Sequence, residues 1–200
     1  MSAYNVALVG ATGAVGAEFL QLLETRDFPL GQLRLLASSR SAGTTIRFKD
    51  QDIVVEELTE SSFKDMDIAF FSAGGSRSKQ YAAAAIAAGA VVVDNSSAFR
   101  MDPSVPLVVP EVNPDALHGH NGIIANPNCS TILLVMVLAP LLKLQPIRRV
   151  VVSTYQAASG AGAAAMRELE TQTAAILAGN APEPEIFPHP IAFNLFSHNT

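Results

Sequence analysis

Cysteine, tryptophan and charge are scarce in this chain of 200 residues, which has one cysteine, no tryptophan and 16% charged residues. A single cysteine cannot form a disulfide within the chain, so a reducing cytoplasm is the expected location. No block of five basic residues occurs, the net charge is −5 and the pI is about 5.3. These values argue against nucleic acids and anionic membrane surfaces as main partners.

Long apolar runs are also lacking. A membrane-spanning helix needs ~18 or more apolar residues, whereas the longest uncharged apolar run, residues 132–142, contains Pro140 and ends before Lys143. No basic segment precedes an apolar one at the start of the chain, so no signal peptide is predicted. The hydrophobic content is nevertheless 49% and the mean hydropathy is +0.28, which favours strands buried on both faces.

The first half of the chain alternates short apolar strands with helical patterns. The predicted strands are residues 6–9, 33–37, 53–55, 68–71 and 91–93, and the predicted helices are residues 18–24 and 78–88. This alternation implies parallel βαβ units. We therefore predict an α/β fold with a Rossmann-like, doubly wound parallel sheet that is covered on both faces.

Three glycines follow the first predicted strand at equal spacing. Gly10, Gly13 and Gly16 form a G-x-x-G-x-x-G variant of the dinucleotide fingerprint between a strand and a helix. In that context the backbone N–H groups can meet a pyrophosphate at the helix N-terminus. The alternative is that these glycines serve only a tight turn.

The residues at the end of the second predicted strand indicate which dinucleotide binds. An NAD-preferring site usually places Asp or Glu there, on the adenosine ribose. This chain has Ser38-Ser39-Arg40-Ser41 instead, and an arginine flanked by hydroxyls suits the extra 2′-phosphate of NADP. The alternative is a solvated loop arginine, but NADP is the predicted cofactor.

Two further loops follow predicted strand ends, where ligands of such sheets bind. Residues 72–75 would let the backbone approach a flat ring closely, or would simply make a turn. Residues 94–100 end in Arg100 after two serines, which indicates either an anion site or a surface salt bridge. His118 and His120 have no carboxylate or thiol at ligand spacing, so no metal site is predicted.

The only cysteine stands in the segment Asn126-Pro127-Asn128-Cys129-Ser130-Thr131, before an apolar run that predicts a buried helix over residues 132–138. Pro127 favours an extended approach, and Asn128 can cap the helix. A thiol in the first turn of a helix faces unpaired N–H groups and the positive end of the dipole, which favour the nucleophilic thiolate. The alternative is an inert cysteine that fills a core.

The pattern changes after Cys129. Residues 149–153 predict a strand, residues 155–162 a small-residue loop that either passes close to a ligand or is flexible, and residues 163–177 a helix. Four prolines between positions 182 and 190 then predict an extended segment.

Five segments, in this order, resemble the aspartate-β-semialdehyde dehydrogenase family over essentially the whole chain. They are residues 10–16, 94–100, 110–113, 126–131 and 154–160. The resemblance implies reductive dephosphorylation of a small-molecule substrate, L-aspartyl-β-phosphate, by NADPH to give the semialdehyde and phosphate. This reaction feeds the biosynthesis of lysine (through diaminopimelate), methionine, threonine and isoleucine.

The resemblance also implies roles for particular residues. Cys129 would form the acyl thioester and Gln156 would help to position the acyl group, while Arg100 with Ser96 would receive the phosphate. The cofactor positions that it implies are Gly10, Thr12, Gly13, Ala14 and Val15 for the phosphates, Arg40 and Ser41 for the adenosine end, Ser72, Ala73 and Gly74 near the nicotinamide, and Ser159 and Gly160.

By this resemblance, residues 1–128 form the NADP-binding domain and residues 129–200 the start of an α+β catalytic and dimerisation domain. We expect the chain to be the first part of a longer protein that forms a homodimer or a dimer of dimers, and to be inactive alone. His189 and His198 lie outside the family's histidine motif, so no acid/base role is assigned to either. The alternatives are N-acetyl-γ-glutamyl-phosphate reductase and a non-catalytic NADP-binding paralogue.

Overall fold

The computed structural model describes residues 3–197, which form two compact units divided between Val152 and Ser153. The predicted domain boundary after residue 128 lies inside the first of these units, and it stays a prediction about domain organisation. His198 lies outside the described residues. Among the residues described, no helix is long and apolar enough to cross a membrane.

A seven-stranded sheet forms the centre of the first unit. Its strands are β1 (Tyr4–Val9), β2 (Leu30–Ala37), β3 (Thr45–Phe48), β4 (Gln51–Glu57), β5 (Ile68–Phe71), β6 (Val91–Asp94) and β7 (Ile123–Ala125). Their order is β3-β4-β2-β1-β5-β6-β7. Every neighbouring pair is parallel except the β3–β4 hairpin. This arrangement confirms the predicted doubly wound α/β fold.

Three helices belong to the same unit: α1 (Ala14–Thr25), α2 (Gly75–Ala87) and α3 (Cys129–Leu144). The first two confirm the helices that were predicted, although each begins three or four residues earlier than its pattern indicated. Gly89 ends α2 with a φ of +93°, and its N–H donates to the carbonyl of Ile86. A residue with a Cβ atom would be strained in that left-handed conformation.

Apolar side chains cover the sheet on both faces. Successive residues of a strand point to opposite faces, and the neighbours Leu8 and Val9 of β1, both fully buried, belong to two different core clusters. The Leu8 cluster includes Leu20 and Leu23 of α1, and the Val9 cluster includes Ala82 and Ala85 of α2. Burial of each leucine or valine stabilises the fold by about 1.5–3 kcal/mol.

Strand order places the ligand-binding edge of the sheet. β1 lies between β2 and β5. After β1 the chain continues to β2 on one side of it, whereas after β5 it continues to β6 on the other side, so the strand order reverses at β1 and β5. In open parallel sheets ligands bind at such a switch point, beyond the carboxyl ends of the strands. The loops after β1, β5, β6 and β7 all reach this edge.

The prediction that residues 132–138 form a buried helix is correct for the helix and wrong for the burial. None of the residues of α3 is buried, and Leu133, Val137 and Leu144 are 71%, 62% and 81% exposed. An apolar helix needs covering elements on every side to be buried. The described residues do not supply them, and periodicity alone could not show this.

The strand predicted at residues 149–153 is not formed. These residues have no ladder partner within the described chain, and Val150, Val151 and Val152 are 48%, 79% and 55% exposed. A β-branched run has the propensity for a strand but becomes one only when a neighbouring backbone pairs with it.

The second unit is built on helix α4 (Ala163–Leu177), which confirms the predicted helix over the same residues. Two buried polar residues of α4 hold the proline-rich segment that follows. The side-chain oxygen of Gln172 accepts the N–H groups of Ile191 and Ala192 at 2.8 and 3.2 Å, and a Glu168 oxygen accepts from the Gln172 amide at 2.9 Å. These bonds order the segment without regular secondary structure.

Candidate active site

The glycine turn after β1 is packed so closely that side chains would not fit in it. Gly10 has a φ of +91°, and a Cβ atom on it would lie 2.6 Å from the carbonyl oxygen of Ser72. A Cβ atom on Gly16 would lie 2.5 Å from the carbonyl oxygen of Gly10. The glycines therefore permit a close approach between backbone segments, as the fingerprint requires.

The N-terminus of α1 opens directly from this turn. Within the described residues, no side chain caps the helix at Gly13, and its first turn has no acidic residue. Thr12 and Val15 are exposed beside it. The Gly13 N–H donates to the carbonyl of Gly10 at 3.0 Å, which leaves the following N–H groups and the positive end of the helix dipole for an anion. The segment of Thr12, Gly13, Ala14 and Val15 therefore fits a pyrophosphate, as predicted.

Arg40 lies in a turn just beyond β2, the strand next to β1. The N–H groups of Ser41 and Ala42 both donate to the carbonyl of Ser38, at 2.9 and 3.1 Å. Arg40 is exposed, and no salt bridge in the described part of the chain includes it. The turn therefore presents a cation and serine hydroxyls without a competing carboxylate, which fits a 2′-phosphate.

The loop after β5 touches the glycine turn. The Ser72 N–H donates to the carbonyl of Val9 at 2.8 Å, and the contact of Gly10 with Ser72 places the two loops side by side. Gly74 has a φ of +86° and begins α2 without a side-chain cap. The structure thus brings Ser72, Ala73 and Gly74 next to the predicted pyrophosphate site.

Arg100 is fixed by backbone carbonyl groups of two loops. Its Nε donates to the carbonyl of Asn126 at 2.8 Å, and its Nη2 donates to that of Asn95 at 3.1 Å. The Asn126 side-chain amide also donates to the Asn95 side-chain oxygen at 2.6 Å. Arg100 is half-buried, and no carboxylate in the described residues pairs with it. The predicted alternative of a surface salt bridge is therefore wrong.

Ser96 uses its hydroxyl inside the same loop. The hydroxyl donates to the carboxylate of Asp94 at 2.7 Å and accepts the N–H of Ala98 at 3.1 Å, and the residue is 8% exposed. The hydroxyl proton is thus directed to Asp94. The role of Ser96 as a phosphate contact stays a prediction.

Cys129 is the first residue of α3 and is exposed. Asn128 caps the helix as predicted, because its side-chain oxygen accepts the N–H of Ser130 at 3.0 Å. The exposure rules out the alternative in which Cys129 fills a core. The carbonyl that holds Arg100 belongs to Asn126, three residues before the thiol. The segment that precedes the candidate nucleophile is therefore hydrogen-bonded to Arg100, the candidate phosphate ligand.

Gln156, Ser159 and Gly160 belong to the second unit. All three are exposed, and the last two lie in the 3₁₀ turn Ala158–Ala161. Gly162, with a φ of +94°, links this turn to α4. The proposed roles of these three residues stay predictions.

Comparisons with known proteins identify the family. Residues 5–120 match the semialdehyde dehydrogenase NAD-binding domain, and residues 138–200 match the semialdehyde dehydrogenase dimerisation domain. The chain belongs to the semialdehyde dehydrogenase family. The family's NAD-binding domain thus includes strands β1 to β6, the glycine turn and Arg100, and a nicotinamide cofactor is the ligand of this domain.

Individual relatives carry a more specific name. An aspartate-semialdehyde dehydrogenase of Synechocystis is 57% identical over 100% of this chain and 59% of its own length. The crystal structure of aspartate-semialdehyde dehydrogenase II from Vibrio cholerae, complexed with ASA, is 47% identical with a TM-score of 0.92, over 97% of this chain and 58% of its own. The Candida albicans enzyme with NADP is 30% identical with a TM-score of 0.61, over 73% of this chain and 48% of its own.

The chain thus spans only part of the length of these relatives, 59% for the Synechocystis enzyme and 58% for the Vibrio one. Among residues 3–197, no group of three or more His, Cys, Asp and Glu side chains is placed to hold a metal ion.

The sequence analysis assigned no role to three polar residues that line the candidate site in the structure. Asp94 is fully buried at the carboxyl end of β6, and Asn95 and Asn126 pair across two loops. A charged residue that directly follows an apolar strand at the ligand-binding edge is a signal that could have identified Asp94. The pairing of the two asparagines has no signal in the sequence, since they are 31 positions apart.

Proposed function

We propose that this chain carries the cofactor-binding domain and the nucleophile of an NADPH-dependent aspartate-semialdehyde dehydrogenase. The observation that carries the proposal is the exposed Cys129 at the first position of α3, on a loop whose Asn126 carbonyl holds Arg100 at 2.8 Å. A nucleophile and a cation for the leaving group are thus built into one set of loops. The names of the relatives supply aspartate semialdehyde as the aldehyde, and we take L-aspartyl-β-phosphate as the acyl phosphate from which reductive dephosphorylation forms it.

The residues after β1 and β2 fit NADP in particular. Side chains at Gly10 or Gly16 would collide with backbone, so the turn stays open to a pyrophosphate. Arg40 and Ser41 meet the 2′-phosphate, and a carboxylate that would repel it is lacking in the turn of residues 38–43. When bound, NADPH supplies the hydride that reduces the acyl group.

In the first chemical step the Cys129 thiolate attacks the acyl carbon of aspartyl-β-phosphate. The bond between that carbon and the phosphate oxygen breaks, and phosphate leaves with the bonding electrons while the thioester forms. The Arg100 guanidinium stabilises the charge on the departing phosphate, and the N–H groups at the start of α3 stabilise the thiolate before attack. Gln156 orients the acyl group.

After reduction the thiohemiacetal on Cys129 collapses. Hydride addition to the thioester leaves this thiohemiacetal as an alkoxide, whose oxygen electron pair forms the carbonyl as the carbon–sulfur bond breaks, so that the aldehyde leaves and the sulfur returns to thiolate with no proton released. We also propose that the protein works as a homodimer or a dimer of dimers, since residues 138–200 match a dimerisation domain. The cytoplasm remains the proposed location, because the nucleophile has to be a reduced thiol.

The assay runs the reaction in reverse with the full-length gene product. L-Aspartate-β-semialdehyde, phosphate and NADP should give phosphate-dependent NADPH absorbance. N-Acetylglutamate semialdehyde serves as the comparison substrate, and a much higher kcat/KM with it would assign the protein to the acetylglutamyl reaction instead. NADPH binding without turnover of either aldehyde would identify a non-catalytic paralogue.

A further inference from the structure

Asp94 is a carboxylate that the proposed mechanism does not use. It is 0% exposed at the carboxyl end of β6. Within the described residues no arginine, lysine or histidine pairs with it. Burial of a carboxylate without a cation is unfavourable unless hydrogen bonds satisfy its oxygens. The partners of this carboxylate therefore show what it holds in place.

Each carboxylate oxygen accepts one serine hydroxyl. The Ser78 hydroxyl donates to Oδ1 at 2.5 Å, and the Ser96 hydroxyl donates to Oδ2 at 2.7 Å. Ser78 is fully buried and is the fourth residue of α2, so the carboxylate faces the N-terminal end of that helix. The helix dipole favours a negative charge there.

The two serines belong to different segments beside the candidate site, Ser78 to the first turn of α2 and Ser96 to the loop after β6. Ser78 stands just after the loop of residues 72–74, and its hydroxyl also lies 3.3 Å from the carbonyl oxygen of Gly74. Ser96 accepts the N–H of Ala98 and so shapes the turn that leads to Arg100. Asp94 therefore links the loop after β5 to the loop after β6.

The groups that hold Arg100 lie next to Asp94. Its guanidinium is held by the carbonyls of Asn95 and Asn126 and by no carboxylate of the described chain. The Asn126 N–H in turn donates to the carbonyl of Asp94 at 2.8 Å. The side chain of Asp94 thus contacts the loop that leads to Arg100, through Ser96, and its backbone carbonyl holds Asn126, whose own carbonyl accepts from Arg100.

We propose that Asp94 is a positioning residue, whose carboxylate fixes the Arg100 loop through Ser78 and Ser96 and so sets the geometry in which Arg100 binds an anion. That the anion is phosphate rests on the proposed function. An isosteric amide cannot replace the carboxylate, because it has one acceptor oxygen for two hydroxyl donors. Its NH₂ group would force one serine hydroxyl to turn away.

The kinetic test compares Asp94→Asn, Arg100→Lys and the double variant in the full-length gene product. We expect Asp94→Asn to raise the KM for inorganic phosphate by about tenfold, the effect of one unsatisfied buried hydrogen bond. In the Arg100→Lys background the same change should add less than about twofold, because both act on one interaction. Losses that multiply in the double variant, or an unchanged KM for phosphate, would refute the positioning role.

Two controls separate this role from general damage. Asp67→Asn removes a carboxylate oxygen that accepts the Asn5 N–H at the opposite end of the sheet, and it should leave the KM for phosphate unchanged. Ser78→Ala lies outside the Arg100 loop and should raise that KM in the same direction as Asp94→Asn. An unaffected Ser78→Ala variant would count against the link through α2, and it remains informative if Asp94→Asn does not fold.

Hydrogen exchange tests the inference without an enzyme assay, so its result does not depend on the proposed function. Hydrogen exchange at the Ala98 amide should become about tenfold faster in Asp94→Asn and unchanged in Asp67→Asn, because the Ser96 acceptor loses its anchor. Unchanged exchange would overturn the inference even in an active enzyme. An inactive wild-type protein that shows the accelerated exchange would refute the proposed function and retain Asp94 as the anchor of the loop.

Discussion

The reactivity expected of Cys129 depends on the residues that immediately precede it. Asn128 ends the extended approach and caps α3 with its own side chain, so Cys129 takes the first helical position. Pro127 is buried and, without an N–H, needs no hydrogen-bond acceptor. The thiol therefore lies at the positive end of the helix, and the cap and the proline fix the conformation of the segment before it.

Replacement of the thiol by a hydroxyl tests its role as nucleophile. In the full-length gene product, Cys129→Ser should bind NADPH normally and lose the chemical step by several powers of ten, because an unactivated hydroxyl is a poor nucleophile at neutral pH. Stopped-flow absorbance measures the chemical step, and fluorescence titration with NADPH provides the binding control. Substantial turnover in this variant would remove Cys129 from the mechanism.

Arg40 tests the choice of cofactor. Arg40→Ala should weaken NADPH binding more than NADH binding, by roughly 1.5–3 kcal/mol for a charge-assisted hydrogen bond. Parallel titrations with the two cofactors measure the difference. Arg47→Ala, which removes another exposed arginine of the same unit, is the matched control and should leave both affinities unchanged. Equal losses for both cofactors in Arg40→Ala would mean that Arg40 does not contact the 2′-phosphate.

At the level of single residues, the sequence indicated a chemical type for the residues that it singled out, but it indicated none of their hydrogen bonds. The pattern pointed to Arg100 as an anion ligand, and within residues 3–197 its guanidinium pairs with backbone carbonyls and with no carboxylate. The pattern could not show that the Ser96 hydroxyl points to Asp94. Direction depends on the loop conformation, which long-range contacts such as that of Asn95 with Asn126 determine.

Among the larger elements, the turn from β1 into α1 has the strictest steric requirement. A Cβ atom on Gly16 would lie 2.5 Å from the Gly10 carbonyl oxygen and 2.7 Å from that of Ala11. All of these atoms are backbone, so they cannot move aside as a side-chain tip would. Any methyl group there has to shift α1 relative to β1.

Gly16→Ala should therefore destabilise the fold by about 1–3 kcal/mol, as overpacking does. It should also weaken NADPH binding, because the displaced helix end no longer presents its N–H groups correctly. Urea unfolding and NADPH titration measure the two effects. Gly119→Ala, where an added Cβ atom meets nothing within 4 Å, should change neither. A Gly16→Ala variant as stable as the wild type would contradict the close approach.

The strands that the sequence predicted well are those that pair with a neighbour on each side of the sheet. β5 matches its predicted range because its apolar run pairs on either side with β1 and β6. The prediction of a strand at residues 149–153 was wrong because a strand forms only when a second backbone pairs with it, and the local sequence pattern carries no information about that partner. The short β7 was not predicted, since its three residues form a strand only through β6.

At the scale of the whole molecule, the exposed apolar surface is the most unusual property. The side chains of Leu133, Val137, Leu141 and Leu144 follow one stripe of α3 and are 71%, 62%, 46% and 81% exposed. Surfaces of this kind favour association between molecules. The matched dimerisation domain begins within the same helix, at residue 138.

The 200-residue chain, purified as it stands, should consequently self-associate in a concentration-dependent manner. Light scattering coupled to size-exclusion chromatography measures the mass over a dilution series. A triple variant with glutamine at Leu133, Val137 and Leu144 should shift the population towards monomer, because glutamine keeps the helix and removes its apolar stripe. Met101→Gln, at an isolated side chain that is 92% exposed, is the matched control and should have no effect. A wild-type chain that stays monomeric at the highest concentration would show that the apolar stripe of α3 does not mediate self-association.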